Sequence, residues 1–328
     1  MLLLLLASVI LSLYLTDHLK LLGDILQKRE SYTVDDLEQE FFWVILLRVG
    51  YMICDPITAY HTRMLAMDWR KAITREYLRR YERVRGHLGL DGVSQRLQEE
   101  PYKFTLFLEA FGSQILRSVM SLIVFLPLLA QYSPIIHVDW NGLDLELRGS
   151  LVYLVVILAL IGLCVSVLLG KEFPAIENTN RTLEAEFRND LVLVEEGEES
   201  IDSAPHQVTF CRIYKSYRRM FRRFILLDGW FSCYWNIMHF IPIWLTAKWV
   251  FAGTATWGSV GQVTNVFMET ITSLSVIMNN WRGLVDFIAT YRRLHELETA
   301  LTLREDDILT DEGLAGGVQR EVGFVPLP

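Results

Sequence analysis

The sequence predicts an all-α membrane protein, and three observations predict it. Hydrophobic residues make up 52% of the 328 residues, and the mean hydropathy is positive, +0.26, where a soluble domain of this length is usually more polar. The apolar residues are gathered into runs of membrane-crossing length. Basic residues concentrate in two of the segments between those runs. Other classes are excluded by the same composition. Four widely spaced cysteines (Cys54, Cys164, Cys211, Cys233) form no CxxC pair, so neither a disulfide framework nor a zinc site is expected. The seven histidines lack HExxH or other paired-ligand spacing, so no metal is expected. A net charge of −8 argues against a nucleic-acid binder.

A spanning helix needs about 20 mostly apolar residues, and six runs qualify: Leu2–Leu22, Phe41–Tyr60, Gln114–Tyr132, Leu151–Gly170, Gly229–Phe251 and Val260–Trp281. The first begins at Met1, is interrupted near its end by Asp17, His18 and Lys20, and lacks the basic flank and cleavage site of a signal peptide. It reads as a truncated or late-starting span, in which Asp17 and His18 can titrate. The sixth is the most polar, with Asn265, Glu269, Thr270, Thr272, Ser273, Asn279 and Asn280, and polar side chains at that density should face a cavity or a partner helix.

Orientation follows from the basic residues. Arg63, Arg70, Lys71, Arg75, Arg79, Arg80, Arg83, Arg85, Arg96 and Lys103 lie between the second and third runs. Lys171, Arg181, Arg188, Arg212, Lys215, Arg218, Arg219, Arg222 and Arg223 lie between the fourth and fifth. The intervening segments hold only Lys28, Arg29 and Arg148. Both basic segments, and with them both chain ends, are expected on the cytoplasmic side.

The basic segments also carry helical periodicity. Met64–Arg85 places Leu65, Trp69, Ile73, Tyr77, Tyr81 and Val84 at three- and four-residue steps. Gly86–Gly92 should break this helix, and Ser94–Gly112 should resume it toward the third run. Pro174 and Gly197–Pro205 bracket a second extension, Ile176–Val194, and Val208–Leu227 leads back into the membrane. The expected organisation is a transport domain over 1–303, with cytoplasmic helical extensions at 63–112 and 171–227, and a disordered tail over 304–328. Short outer loops with long inner extensions are the layout of ABC-exporter-type transmembrane domains, here without a nucleotide-binding domain.

Three stretches carry a more specific signal. Gln98-Glu99-Glu100-Pro101-Tyr102-Lys103-Phe104, followed by Leu108-Glu109-Ala110-Phe111-Gly112, is similar to a QED-x-x-x-F … LE-x-x-G signature. Glu177-Asn178-Thr179-Asn180-Arg181-Thr182-Leu183-Glu184-Ala185-Glu186-Phe187-Arg188 is similar to E-x-x-NQ-x-x-EA-x-[YF]R. Gln262-Val263-Thr264-Asn265-Val266-Phe267 is followed by Asn280-Trp281 and Tyr291-Arg292-Arg293-Leu294. In these blocks, and in the spacing between them from about Leu13 to Glu298, the chain resembles the SbmA/BacA family of bacterial inner-membrane peptide transporters. It departs from that pattern at Arg181 (family glutamine), at Glu100 and Pro101 (usually Asp-Thr) and at Glu269 (a glutamine-like position). Family members also carry further N-terminal membrane segments, so a shortened relative is expected.

The resemblance implies proton-driven peptide uptake by a homodimer in the bacterial inner membrane, antimicrobial peptides among the cargo, with no ATP and no cofactor. The residues agree in one respect. The sole Gly-Lys pair, Gly170-Lys171, lacks the glycine and Ser/Thr of a phosphate-binding loop, and the stretch after Arg304 is too short for a nucleotide-binding domain. No GxSxG or other hydrolase motif points to an enzyme.

A proton route needs groups that change charge, and partly desolvated carboxylates suit it. Glu177 and Glu184 are two turns apart on one helix face, and Glu195 lies about three turns further, so the three can line one stripe. Glu99 and Glu109, on the helix returning from the first extension, are offset by about 80°. The resemblance implies that a glutamate ladder on these helices moves protons, and assigns that role to Glu99, Glu109, Glu184 and Glu195, with Glu177 a weaker match. The plain alternative is surface ion pairing with the surrounding basic residues, each pair worth little. Asn265, Glu269 and Asn280 are candidates for the wall of a substrate cavity, attractive to cationic or proline-rich peptides; an interhelical hydrogen bond is the plain alternative for Glu269. Two other readings stay open: the membrane half of an ATP-driven transporter with a separate ATPase, and an inactive or regulatory truncated relative.

Overall fold

The computed structural model describes residues 1–28, 30–84, 93–133, 136–140, 143–147, 149–195 and 204–321, with the backbone alone at 95, 136–140, 143–147, 204–206, 282 and 307–321. Ten helices follow in order among these residues: α1 (Leu2–Gln27), α2 (Val34–Val84), α3 (Val93–Gln98), α4 (Glu100–Tyr132), α5 (Ser150–Gly170), α6 (Phe173–Glu195), α7 (Ala204–Phe251), α8 (Trp257–Leu274), α9 (Val276–Asn279) and α10 (Trp281–Glu321). One antiparallel hairpin, β1 (Ile136–Trp140) with β2 (Leu143–Leu147), interrupts the helical pattern and pairs Ile136 with Leu147 through to Trp140 with Leu143. Its signal was present in the sequence as Asn141-Gly142, a dipeptide suited to a two-residue hairpin loop.

The first five apolar runs each lie in one helix, and the first extension is continuous with the second run: α2 runs unbroken from Val34 to Val84. The expected breaks at Gly86–Gly92 and Gly197–Pro205 fall largely outside the described residues. α10 continues to Glu321, through most of the stretch expected to lack order. Leu2–Gln27, Val34–Val84, Arg96–Tyr132 and Ser150–Glu195 are long and apolar enough to cross a membrane, by length and composition. The two further runs are less apolar. In α7 the run is rich in Trp and Tyr, and in α8 it is cut by Gln262, Asn265 and Glu269.

Two expectations about continuity are corrected. The helix returning from the first extension is not single, because Glu99 is a turn between α3 and α4. Pro101 explains this: its ring excludes an interior helical position but suits the first turn of α4. The sixth run is likewise three elements, α8, α9 and the start of α10. Its junctions Ser275 and Asn280 have φ near −90° and −104° with ψ near 14°. Both are residue types whose side chains compete for backbone hydrogen bonds, and Asn280 Nδ2 donates to the Val276 carbonyl at 2.8 Å.

The chain divides into two compact units. The first comprises Met1–Leu5, Met52–Leu116 and Arg282–Pro328. Its core is Val84, Leu97, Leu297 and Leu301, flanked by Tyr77, Tyr81 and Val93. Phe287 of α10 stacks on Phe104 and Phe107 of α4, with ring centroids 5.3 and 4.6 Å apart, and Gly283 leaves room for the Phe107 ring. Arg80 donates to Glu305 at 2.8 Å and to Thr302 at 2.8 Å. That bond holds the Glu305 carboxyl below its usual range. A lowered folded value stabilises at neutral pH and is lost as pH falls through it. Proteolysis within α10 should therefore quicken on acidification, and Glu305→Gln should remove that pH dependence.

The second unit comprises Leu6–Tyr51 and Arg117–Trp281. Its core joins Val9 of α1, Phe125 and Leu129 of α4, Leu151, Val155 and Ala159 of α5, Tyr234 and Met238 of α7, Val263, Val266, Phe267 and Ile271 of α8, and Met278 of α9. One face of α5 is built from small residues one turn apart, and each receives an aromatic ring. Gly162 lies against Tyr234, Ser166 accepts from Trp230 Nε1 at 3.1 Å, and Gly170 lies against Trp281. Small residues allow this close approach where apolar burial alone gives membrane helices little reason to associate. Trp230 is thus part of the helix packing.

α1 meets α8 along a seam of similar tightness. A Cβ on Gly258 would lie 2.2 Å from the Lys20 carbonyl oxygen and 2.4 Å from Asp24 Oδ1. The first orphan amide of α8, that of Trp257, donates to Gln27 Oε1 of α1 at 2.6 Å, while Ser259 N–H donates to Thr256 Oγ1 at 3.2 Å.

Candidate functional site

The signature blocks supply the first geometry. In the first unit, Glu100 of α4 is 1% exposed and accepts from Arg293 of α10 at 2.8 Å. The first block therefore meets the Tyr291-Arg292-Arg293-Leu294 block through a buried carboxylate and a guanidinium. Arg96 reinforces the contact, donating to the Arg293 carbonyl at 3.3 Å and to Glu296 at 2.7 Å. In the second unit, the second block contributes Asn180, 2% exposed. Its Nδ2 donates to Met220 Sδ at 3.3 Å, and its Oδ1 accepts from Ser216, which pins α6 to α7. Sequence reasoning named Glu100 only as a departure from the family pattern and gave Asn180 no role, because it searched the blocks for partly desolvated carboxylates able to change charge. Helix phase, which the Glu99 turn resets, was the missing signal.

The five proton-pathway candidates divide by their partners. Glu99 lies in the turn rather than on α4 and pairs with Lys103 at 2.8 Å, both roughly half exposed. Glu177 pairs with Arg181 one turn on, at 3.2 Å. Glu195 is the exposed last residue of α6. Glu109 and Glu184 are half-buried and make no ion pair among the described residues. Tyr217 of α7 donates to Glu184, and its phenol is pushed up first by desolvation, then by the Glu184 charge and that hydrogen bond, with a smaller push from Glu177.

The cavity candidates separate similarly. Asn265 and Glu269 are half-buried on α8. Glu269 accepts from Ser12 Oγ of α1 at 3.1 Å, the interhelical hydrogen bond weighed against a cavity role. Asn280 is engaged with its own backbone at the α9–α10 junction. A further polar contact on α8 went unmarked in the sequence: Gln262, 4% exposed, donates to Asp17 at 2.8 Å and to Tyr132 at 3.0 Å. No group of three or more His, Cys, Asp or Glu among the described residues is placed to hold a metal ion.

Comparison with known proteins gives this architecture its relatives. The chain is 26% identical over 290 residues to an uncharacterized ABC transporter ATP-binding protein of Synechocystis, covering 80% of this chain and 41% of that protein. It is 22% identical over 279 residues to the inner membrane ABC transporter ATP-binding protein YddA of Escherichia coli, covering 80% and 50%. It is 21% identical over 281 residues to the chloroplastic ABC transporter D family member 2 of Arabidopsis thaliana, covering 81% and 38%. The chain thus spans half or less of the length of these curated relatives. The profile of the SbmA/BacA-like family matches residues 3–302, nearly the whole chain. With the family profile covering every signature block, the protein is a multi-pass membrane protein that belongs to the SbmA/BacA-like transporter family.

Proposed function

We propose that the chain imports peptides, antimicrobial peptides among them, across the bacterial inner membrane by alternating access, driven by the proton-motive force. In this reading it crosses the membrane six times with both ends cytoplasmic, and two copies enclose one cavity whose wall includes Asn265 and Glu269. The observation that carries it is the family match over residues 3–302. Glu109 and Glu184 are the proton carriers, because both are half-buried and free of a cationic partner among the described residues. Glu99 and Glu177, paired with Lys103 and Arg181, contribute less, as does the exposed Glu195.

The test is uptake of a fluorescent cationic, proline-rich peptide into proteoliposomes with an acid exterior and no ATP. Gradient-driven uptake by the unmodified chain is expected. Glu109→Gln and Glu184→Gln are each expected to reduce it about tenfold or more, as removal of an obligatory proton-transfer group does. Uptake that survives both substitutions would withdraw the carrier role from these residues while leaving import in place.

A second reading is favoured by the relatives themselves, all three of which carry ABC transporter names while aligning over half or less of their own length. In it the chain is the membrane part of an ATP-driven transporter whose ATPase is a separate subunit. Uptake that needs ATP and a co-purifying ATPase, and ignores the pH gradient, would select this reading.

A further inference from the structure

We propose that His18 of α1 and Glu40 of α2 form a proton-binding site on the outer flank of the membrane domain, where the proton that drives transport is first taken up. This rests on the proton-driven reading above and on its orientation, which puts the end of the first run and the start of the second on the acid side.

The geometry is that of a site rather than a surface contact. Glu40 has a side chain only 7% exposed, and its Oε1 lies 2.5 Å from His18 Nδ1. Trp43, one turn beyond Glu40, stacks on the imidazole with centroids 6.2 Å apart and planes 23° from parallel. A carboxylate so covered is costly to hold as a lone charge. A proton on the imidazole makes the pair neutral as a whole, and its departure leaves one uncompensated negative charge. Histidine is also the side chain that changes charge between about pH 5 and pH 8.

The neighbouring ionisable residues come from the same two helices. On α1 the neighbouring ionisable residues are Asp17 and Lys20, and Asp17 is bound by Gln262 of α8, which also donates to Tyr132 of α4. On α2 the carboxylate one turn before Glu40 is Asp36, which accepts from Thr33. α8 and α4 thus bring an amide and a phenol to this level of α1. Among the described residues neither His18 nor Glu40 makes a second ion pair. The position also gives the proton a mechanical outlet. Adjacent residues of α1 are tied to different helices, His18 to α2 by a titratable bond and Asp17 to α8 by a fixed one. α8 carries Asn265 and Glu269 two turns or less from Gln262, so a change at His18 reaches the helix assigned to the cavity.

The direct test is a pH titration, from about pH 8 to about pH 5, of the full chain in lipid nanodiscs. The readout is the fluorescence difference between the unmodified protein and Trp43→Phe, because an imidazolium quenches the indole stacked on it. A quenching step is expected. His18→Gln should abolish it, and Glu40→Gln, which removes the charge that favours the imidazolium, should move its midpoint to lower pH. Both substitutions keep a hydrogen-bonding side chain of similar size, and size-exclusion profiles confirm folding. In proteoliposomes, peptide uptake should follow external pH with the same midpoint and shift with it in Glu40→Gln. No step, a step that survives His18→Gln, or a midpoint unmoved in Glu40→Gln would overturn the site. Gradient-driven uptake with one external-pH profile in all variants would overturn its part in coupling. A normal fluorescence step with no gradient-driven uptake in the unmodified chain would instead sink the proton-driven reading, and the coupling role with it.

Discussion

Arg293→Met is expected to lower the stability of the protein by about 3 kcal/mol, the low end of the cost of orphaning a buried charge. The low end applies because Arg293 is 35% exposed, so water reaches one side of the pair, while Glu100 is 1% exposed. Among the described residues Glu100 Oε2 already lacks a hydrogen-bond partner, so loss of the guanidinium leaves the carboxylate poorly compensated. The double variant Glu100→Gln/Arg293→Met removes the stranded charge and should recover much of the loss. Thermal unfolding in detergent checks both. Equal destabilisation of the single and double variants would mean that packing of the Arg293 stem, rather than the charge, joins the two signature blocks.

Gly258→Ala is expected to be comparably severe, for a steric reason. The added methyl would sit 2.2 Å from the Lys20 carbonyl oxygen, a backbone atom that cannot swing aside. α1 and α8 must part, at about 1–3 kcal/mol for overpacking, and the Gln27 cap on the Trp257 amide is strained with them. Gly261, on the same helix, has nothing within 4 Å of its would-be Cβ. Gly261→Ala should therefore be neutral or stabilising by up to about 1 kcal/mol, the usual helix-propensity difference. Unfolding of the two variants side by side isolates the contact from the effect of losing a glycine. Equal behaviour of the two would refute the seam.

The helices were legible in the sequence where a single physical signal dominated. Apolar runs of bilayer length located the long apolar helices, three- and four-residue periodicity carried α2 into the first basic segment, and Pro174 with Gly197–Pro205 bracketed α6. Less legible was anything decided by one residue's phase or partner. Pro101 moved the start of α4 and put Glu100, not Glu99, toward Arg293. Ser275 and Asn280 cut the sixth run because local side-chain hydrogen bonding outweighed its apolar periodicity. The signature residues held the same ambiguity. Spacing could place Glu177 and Glu184 on one face, but only the fold distinguishes a carboxylate locked to Arg181 from one facing Tyr217. His18 looked like an interruption of an apolar run until Glu40, 22 residues away, supplied its reason.

The cap that α1 provides to α8 also sets a problem of timing during synthesis. Gln27 and the Trp257 amide it accepts from are separated by 230 residues. At ribosomal rates of roughly 5–20 residues per second, about 10–50 s elapse between the emergence of the two. Throughout that interval Asp17 and Gln27 of α1 wait for the α8 groups that bond them. A nascent chain stalled before α8 would present those polar groups unpaired, and so carry the mark by which membrane quality control recognises an unfinished protein.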